Sequence, residues 1–274
     1  MTTAILSDSS TMLRRSLRRM RRYPSLTFFV AALPVILLLL FVYVFGGTLG
    51  AGLGVSGSST GATSGAQGRD LYLAYVIPGV LLMTVVGTGQ GTAISVAMDM
   101  TAGIIARFRT MSISRAAVLA GHVLGSLVQA VAAMAIVVVV ALVIGFRPTT
   151  GPVEWLGAIG LLALVAVAIS WLSVAMGMST GSVETASNVP MILTLFLFLS
   201  SAFVPAASMP GVLGWFAEHQ PFTPIAETLR GLLFGTDIGS SGPVAVAWCL
   251  AITAAGFVWA RRLYERDPRP RPVA

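Results

Sequence analysis

The sequence contains no lysine, and all 17 of its basic residues are arginines. A phosphate-binding loop of the G-x-x-x-x-G-K-[ST] type needs the lysine ammonium group to contact the β- and γ-phosphates of a nucleotide. The chain therefore cannot form such a loop. The energy for any work that it performs must come from a partner or from a gradient across a membrane.

Histidine and cysteine are also scarce. Cys249 is the single cysteine, so the chain forms no intrachain disulfide. His122 and His219 are the two histidines, and they lie 97 positions apart, as their numbers show. The H-E-x-x-H motif of zinc metalloproteases is absent. We predict no catalytic residue, no metal site and no cofactor bound directly by this chain.

Charge of either sign is rare. Charged residues make up 10% of the sequence and hydrophobic residues 56%, whereas charged residues are roughly a quarter of a soluble domain. This composition is typical of an all-α membrane protein. A net charge of +7 would favour nucleic-acid binding in a soluble protein. Here the arginines flank apolar segments, as in membrane proteins, so no nucleic-acid partner is predicted.

Six segments with almost no charge have the length of membrane spans, for which about 20 apolar residues are needed. The chain divides into a basic N-terminal region (1–25), a six-span membrane domain (26–262) and a cytoplasmic tail (263–274). The predicted spans lie at 28–45, within 71–98, between Arg115 and Arg147, within 155–176, at about 189–203 and at about 243–260.

The N-terminal region predicts an interfacial helix. Arg14, Arg18 and Arg22 belong to a run of arginines in which apolar residues recur every three or four positions, giving a cationic face beside an apolar one. A cleaved signal peptide is the alternative interpretation. Its apolar core would be about 7–15 residues, shorter than the uncharged run at 28–45, so we expect an uncleaved anchor.

A short amphipathic or re-entrant helix is predicted before the last span. Thr223 would cap its start, Pro224 would occupy its first helical position and Gly235 would end it. Apolar residues at helical spacing lie between these positions: Ile225, Leu229, Leu232 and Leu233.

The distribution of arginines predicts the orientation. With six spans, both termini lie on one side, together with six arginines before the first span, three in 99–115 and five after the last span. The opposite side receives Arg69, Arg147 and Arg230. Arginine-rich segments stay in the cytoplasm, so we predict cytoplasmic termini in a plasma membrane.

Polar residues inside the spans are few. A gradient-driven secondary carrier usually keeps ionisable residues at mid-membrane depth, and every Asp, Glu and Arg here lies at or beyond the end of a predicted span. Gln90, Thr194 and Phe198, in the second and fifth spans, offer adaptable contacts to a substrate. An interhelical hydrogen bond or helix packing explains the same residues equally well.

The segment 99–115 (DMTAGIIARFRTMSISR) is the most informative polar stretch. Asp99 can cap the start of a helix there. Ile104, Ile105 and Phe108 would form one face, while Arg107 and Arg109 project outward. An ordinary cytoplasmic loop is the alternative.

From these features the chain resembles the type-2 ABC exporter permeases, in particular the daunorubicin-resistance-type drug-efflux permeases. The resemblance covers roughly residues 10–265 and is most specific at 198–235, which contains SSAFVPAASMPGVLGWFAEHQPFTPIAETLRGLLFG. In this family the loop that corresponds to residues 99–115, which we call the inner loop, often has Leu-Pro where this chain has Met111-Ser112.

The resemblance implies a function and partners. It implies that the permease forms a dimer with a second copy or with a homologue. It also implies that each copy binds a separate ABC ATPase, which carries ATP and magnesium. ATP hydrolysis by that partner would drive export by alternating access. It also implies that residues near Gly103–Ser112 form the coupling helix and that Arg14–Tyr23 form the interfacial helix. We expect an amphipathic substrate (drug, antibiotic or lipid-like) and contact with membrane lipid. An intramembrane enzyme, a secondary carrier and a passive assembly protein are the alternatives from other classes.

Overall fold

The computed structural model describes residues 24–46, 65–103 and 115–265, and the regular secondary structure within these ranges is entirely helical. The all-α prediction is confirmed. The helices are α1 (Pro24–Leu40, continued by a π-helical turn at Phe41–Phe45), α2 (Gly65–Thr101), α3 (Arg115–Val143), α4 (Pro152–Ser179), α5 (Val183–Asn188), α6 (Met191–Phe198), α7 (Gly211–His219), α8 (Phe222–Phe234) and α9 (Ser241–Glu265).

Four of the helices in the described part of the chain are long and apolar enough to cross a membrane: α2, α3, α4 and α9. They coincide with the second, third, fourth and sixth predicted spans. Helix α1, with its π-helical turn, coincides with the first. The positions of these five segments therefore follow the uncharged stretches of the sequence.

The helices run between two ends of one bundle. We call the first end the Asp99 end. There the last turns of α2 pack with the first turns of α3 and with the last turns of α4 and α9. At the second, the Arg69 end, the Arg69 guanidinium donates to the carbonyl of Ile144 at 3.5 Å, just beyond α3. Gly46, after α1, also lies against Arg69. Helix α1 therefore starts, and α9 finishes, toward the Asp99 end.

Glycines allow the central helices to approach closely. A Cβ atom on Gly177 of α4 would lie 2.5 Å from the Ala93 carbonyl oxygen of α2, and one on Gly256 of α9 would lie 2.8 Å from the Leu172 backbone nitrogen of α4. Both positions exclude any larger residue unless the helices separate. Small residues at membrane helix contacts serve this purpose. Helix α4 is thus held between α2 and α9, the two helices with which its contacts are most extensive.

The fifth predicted span, about 189–203, is not one continuous helix. The structure has two short helices, α5 and α6, followed by turns at 199–203. Pro190 lies at the break between them, and proline lacks the N–H that a continuing helix would donate. The helical residues of this segment, 183–188 and 191–198, therefore begin and end earlier than the predicted span.

The region before the last span contains two helices rather than one. Helix α8 begins at Phe222, and the φ of Gly235 is 72°, in the left-handed region that often ends helices. Thr223 does not cap it, because this residue already lies in the first turn. Helix α7, which the sequence did not indicate, precedes it. Of the four apolar residues predicted to share a face, Ile225, Leu229 and Leu233 are buried, where α8 contacts α2, α4 and α9. Leu232 is half-buried.

Candidate functional site

Several residues singled out from the sequence lie outside the described part of the chain. Of the predicted coupling residues, only Gly103 lies inside it. The φ of Gly103 is +68° and its amide donates to the Met100 carbonyl at 3.2 Å, so the chain leaves α2 through a residue in the left-handed conformation. The residues outside are Arg14, Arg18 and Arg22 of the predicted interfacial helix, and Ile104, Ile105, Arg107, Phe108 and Arg109 of the predicted coupling helix.

Gln90 connects α2 to the broken fifth segment. Its side-chain nitrogen donates to the carbonyl oxygen of Ser187 at 2.8 Å. The last carbonyl groups of a helix have no partner inside that helix, and Ser187 is the penultimate residue of α5. Because Pro190 interrupts the chain just beyond, Gln90 stabilises the end of α5 at the break. This contact is an interhelical hydrogen bond of the kind that the sequence left open as an alternative.

Phe198 lies at the other end of this segment. Its ring stacks on Phe203 with centroids 5.0 Å apart, and the Phe203 ring lies 5.5 Å from that of Phe41 in α1. Phe198 remains 39% exposed, so one part of the ring is available to lipid or to a substrate. Thr194, one turn earlier, is half-buried.

The three predicted path residues do not meet at one point. Gln90 contacts the end of α5, whereas Phe198 stacks near Ala202, which packs against Gly79 of α2. Gly79 and Gln90 are about 16 Å apart along the helix axis at 1.5 Å per residue. Gln90, Thr194 and Phe198 are therefore distributed along the contact between α2 and the α5–α6 segment, rather than gathered into one pocket.

A polar network centred on Ser201 was not anticipated from the sequence. Tyr75 of α2 donates its hydroxyl to the Ser201 carbonyl at 2.8 Å. Arg230 of α8 donates to the same carbonyl at 3.1 Å, and its guanidinium lies 3.9 Å from the centroid of the Tyr75 ring. Two helices that are distant in sequence thus bind one carbonyl in the turn after α6.

The other side of Ser201 contacts a carboxylate and a hydroxyl. The Ser201 hydroxyl donates to Glu227 Oε1 at 3.5 Å, and the Ser201 amide donates to Thr223 Oγ1 at 3.0 Å. Ser241, at the start of α9, donates to Glu227 Oε2 at 2.8 Å. We call these six residues the Ser201 network: Tyr75, Ser201, Thr223, Glu227, Arg230 and Ser241. It joins α2, the turn after α6, α8 and the start of α9.

The sequence did carry a partial signal for this network. Glu227 and Arg230 are three residues apart on α8 and share one face of that helix. Their partners are remote, since Arg230 and Tyr75 are 155 residues apart. Only the tertiary fold brings the two halves together.

A histidine and an aspartate meet at the Asp99 end of the bundle. Nε2 of His122, in α3, lies 3.4 Å from Oδ2 of Asp99, in α2, and both side chains are largely buried. Asp99 lies near the end of α2, so the expectation that it begins a new helix was wrong. The contact joins α2 to α3 four residues before Gly103, where the predicted coupling segment starts.

The serine of a G-x-S-x-G pattern at 177–181 does not form a nucleophile elbow. That elbow needs a strand-to-helix turn that exposes the hydroxyl, whereas Ser179 lies in the last turn of α4 and donates to the Met176 carbonyl at 2.8 Å. The geometry of a serine hydrolase is therefore absent at this serine.

A cleft of about 440 Å³ opens between the α7–α8 hairpin and the start of α9. It shares Glu227, Thr223 and Ser241 with the Ser201 network and includes none of the three predicted path residues. Its lining residues are Glu218, His219, Thr223, Pro224, Glu227, Ser240, Ser241, Val244 and Trp248.

Comparisons with known proteins agree with this architecture. The model of the ABC-2 type transporter family matches residues 8–234. The daunorubicin resistance ABC transporter permease protein DrrB1 of Streptomyces coeruleorubidus is 31% identical over 251 residues, which cover 88% of this chain and 83% of that protein. The probable doxorubicin resistance ABC transporter permease protein DrrC of Mycobacterium tuberculosis is 22% identical over 184 residues, or 67% of each chain.

The family match and the similarity to DrrB1 each span most of the sequence, and the described helices supply the membrane-spanning lengths that a permease needs. The resemblance inferred from the inner loop and from residues 198–235 is thereby confirmed. The protein belongs to the ABC-2 type transporter family.

Proposed function

We propose that the protein is the permease subunit of an ATP-driven exporter and that a separate ABC ATPase supplies the energy. The observation that carries this proposal is the family match over residues 8–234. The absence of lysine supports it, because the chain cannot form a lysine-containing phosphate-binding loop of its own. The relatives are named for resistance to daunorubicin and doxorubicin. By extension, we propose that this chain also exports an amphipathic, drug-like substrate.

The proposed topology has six crossings and cytoplasmic termini in a bacterial plasma membrane. In it, α1, α2, α3, α4, the broken α5–α6 segment and α9 each cross once, and α7 and α8 form a re-entrant hairpin at the Arg69 end. The convergence of the start of α1 and the end of α9 toward the Asp99 end supports an even number of crossings. The count of arginines places the Asp99 end in the cytoplasm.

Cysteine labelling tests this topology. After Cys249→Ala, single cysteines at Ser58 and Ser240 should react with an impermeant thiol reagent in intact cells, and one at Ser112 should react only after the cells are opened. Labelling of Ser112 alone in intact cells would contradict the orientation.

Many apolar side chains on the outside of the bundle support a membrane location. Lipid or another permease subunit must cover these residues, because water would not tolerate so large an apolar surface. Examples of exposed residues are Leu33, Ile36, Val139, Leu156, Ile192, Leu195, Leu250 and Val258. We propose that two copies, or this chain and a homologue, enclose a path lined by α2 and by the α5–α6 segment.

Coupling to the ATPase is proposed to occur at residues 103–112. Ile104, Ile105 and Phe108 would enter a groove on the ATPase, while Arg107 and Arg109 would pair with acidic groups at its rim. The contact between Asp99 and His122 supports this assignment, because it fixes α2 against α3 where the segment leaves the bundle. The arginines at 14, 18 and 22 would hold the N-terminal helix at the same membrane surface.

Co-purification tests this proposal. The permease should bring down an ABC ATPase encoded beside it, and substrate should stimulate ATP hydrolysis by the pair. A Phe108→Ala, Arg107→Ala double variant should lose the stimulation. Unchanged binding and stimulation in that variant would reduce the segment to an ordinary cytoplasmic loop.

A further inference from the structure

Two of the three arginines toward the Arg69 end have no carboxylate partner. Arginine is concentrated on the cytoplasmic side of membrane proteins, so arginines that lie on the other side call for an explanation. Arg230 belongs to the Ser201 network. Arg69, near the start of α2, is half-buried, and Arg147, in the loop after α3, is exposed. In the described residues neither of these two forms an ion pair.

Both guanidinium groups bind the C-terminal end of α3. Arg69 Nη2 donates to the carbonyl of Ile144 at 3.5 Å, and Arg147 Nη1 donates to the carbonyls of Leu142 and Phe146, each at 2.9 Å. The last carbonyl groups of a helix have no partner inside that helix, and a positive charge is favourable there. This capping brings the two cations to one short segment, residues 142–146.

Capping uses only part of each guanidinium group, which carries several N–H donors. In the described part of the chain, Arg69 Nη1 and Arg147 Nη2 donate to no acceptor. Phosphate oxygens are acceptors that match the planar guanidinium group and often bind it in a bidentate manner. The two arginines can therefore bind a phosphate while they continue to cap α3.

Acidic residues reduce this positive charge but do not pair with it. Asp70 is exposed beside Arg69, and Glu154 is exposed in the first turn of α4, where negative charge is favourable. In the described residues no carboxylate forms an ion pair with Arg69 or Arg147. Asp70 therefore weakens the attraction of the two cations for an anion. The other acidic residues toward this end lie in α7, in α8 and in the loop after α8: Glu218, Glu227 and Asp237.

The surface that adjoins the two arginines is apolar and exposed. The Arg69 guanidinium lies 4.2 Å from the centroid of the Tyr43 ring, in the π-helical turn after α1, so Arg69 connects the end of α1 with the end of α3. Tyr43 is 58% exposed, and tyrosine is enriched where a membrane meets water. Helices α1 and α3 also contact each other directly, and we call this contact the α1–α3 seam.

Each helix of the seam carries an exposed apolar stripe that ends near the arginines. Residues at three- and four-residue spacing lie on one face of a helix. The stripe of α1 consists of Leu33, Ile36, Leu40 and Val44, and that of α3 consists of Val131, Ala135, Val139 and Val143. Such stripes suit acyl chains, and the cations at their end suit a negatively charged headgroup.

We propose that the α1–α3 seam binds an acidic phospholipid of the outer leaflet. Arg69 and Arg147 contact its phosphate, Tyr43 lies at the level of its glycerol group, and its acyl chains follow the exposed stripes. A headgroup with net negative charge is favoured over phosphatidylcholine, because the arginines repel the choline ammonium group. The assignment to the outer leaflet rests on the proposed topology, whereas the binding site itself does not.

Native mass spectrometry of the full-length permease with added lipid tests the proposal. The probes are dioleoylphosphatidylglycerol and dioleoylphosphatidylcholine, which have the same acyl chains. Wild type should bind the first phosphatidylglycerol molecule about tenfold more tightly than phosphatidylcholine, because two arginines favour the anionic lipid and Asp70 opposes them. Arg69→Gln and Arg147→Gln should each weaken phosphatidylglycerol binding about fivefold and leave phosphatidylcholine binding within about twofold of wild type.

Two further variants test the sign and the geometry. Asp70→Asn should strengthen phosphatidylglycerol binding about twofold, because it removes an exposed negative charge beside Arg69. Arg147→Lys should bind phosphatidylglycerol more tightly than Arg147→Gln and less tightly than wild type, because lysine keeps the charge and loses the bidentate geometry. Weaker binding in Asp70→Asn than in wild type would contradict the electrostatic basis of the site.

A matched control separates this site from general electrostatics. Arg262 is exposed in the last turn of α9, toward the Asp99 end. Arg262→Gln removes the same charge and should leave phosphatidylglycerol affinity within about twofold of wild type. Glycerol 3-phosphate carries the phosphate without acyl chains and should not displace the lipid.

The outcomes distinguish the occupants of the seam. Equal phosphatidylglycerol affinity in wild type, Arg69→Gln and Arg147→Gln would overturn the proposal, as would an equal loss in Arg262→Gln. Displacement by glycerol 3-phosphate would reassign the arginines to a free phosphate. The same spectra report the oligomeric state: loss of a dimer in Arg147→Gln at unchanged lipid affinity would assign the seam to a second copy. Arg147 is exposed, so a folding defect in Arg69→Gln would not remove the test.

Failure of this proposal is distinguishable from failure of the proposed function. ATP-dependent export in vesicles, measured in parallel, would still support the exporter if the lipid affinities were all equal. Conversely, phosphatidylglycerol binding that depends on Arg69 and Arg147 in a protein without ATP-dependent export would retain the lipid site and contradict the exporter.

Discussion

Replacing Arg230 with methionine tests whether the Ser201 network stabilises the bundle. The guanidinium donates to the Ser201 carbonyl at 3.1 Å and to the Tyr75 carbonyl at 3.4 Å, and it lies 3.9 Å from the centroid of the Tyr75 ring. Methionine preserves much of the apolar stem and removes all three contacts. Glu227 also loses its neighbouring positive charge.

The expected loss follows from these contacts. A hydrogen bond from a charged donor contributes about 1.5–3 kcal/mol, and a partly desolvated cation–π contact contributes about 0.5–2 kcal/mol. The cost of burying the guanidinium offsets part of this sum. We therefore expect Arg230→Met to lower the free energy of unfolding by about 2–3 kcal/mol, which corresponds to a fall in Tm of about 5–10 °C.

The assay is thermal unfolding of the detergent-solubilised permease, followed by size-exclusion chromatography with fluorescence detection. Arg230→Lys should be intermediate, because lysine keeps the charge and loses the planar guanidinium. Arg261→Met is the matched control: its pair with Glu265 is exposed, so its effect should stay below about 1 kcal/mol. The reasoning would be refuted if the Tm of Arg230→Met lay within about 1 °C of the Tm of Arg261→Met, since that difference is roughly a tenth of the predicted shift.

Three further predictions concern the path, the helix packing and the coupling segment. Gln90→Leu removes the donor that reaches the end of α5, and it should alter the relative export of different substrates while the yield of the permease stays unchanged. If both Gln90→Leu and Phe198→Ala export every tested substrate as wild type does, the path lies elsewhere. Gly177→Val forces a side chain against the α2 backbone and should abolish the peak of folded permease on chromatography. Gly160→Val is the control, because a side chain at that position enters open space, and its yield should be normal. Equal yields of the two variants would contradict the close contact between α2 and α4. Phe108→Ala should reduce substrate-stimulated ATP hydrolysis more than Arg109→Ala, because a buried aromatic anchor contributes more affinity than a rim charge; the reverse order would contradict the assignment.

The long helices could be predicted from the sequence because their signal is local. Uncharged stretches of sufficient length specify α2, α3, α4 and α9, and no distant contact is needed to place them. The break in the fifth segment was missed although Pro190 was visible, since a membrane helix can also carry a proline without interruption. Pro34 and Pro78 lie inside α1 and α2 and show that case.

The candidate site was less predictable because its contacts are not local. Gln90 could be selected as a polar residue in an apolar span, but its partner is a backbone carbonyl, and such a partner leaves no mark in the sequence. The same holds for Tyr75 and Arg230, which meet at the carbonyl of Ser201. Thr223 was given a local role as a helix cap, whereas the fold uses its hydroxyl to join the Ser201 amide to the end of α7.

Transport into inside-out membrane vesicles tests the central claim most directly. Vesicles that contain this permease and an ABC ATPase encoded beside it should accumulate daunorubicin when ATP is added. Accumulation should stop when the ATPase carries a substitution of its phosphate-binding lysine, and it should continue when an uncoupler collapses the proton gradient. Accumulation that needs the proton gradient and persists with the inactive ATPase would contradict the account, because the permease would then be a gradient-driven carrier.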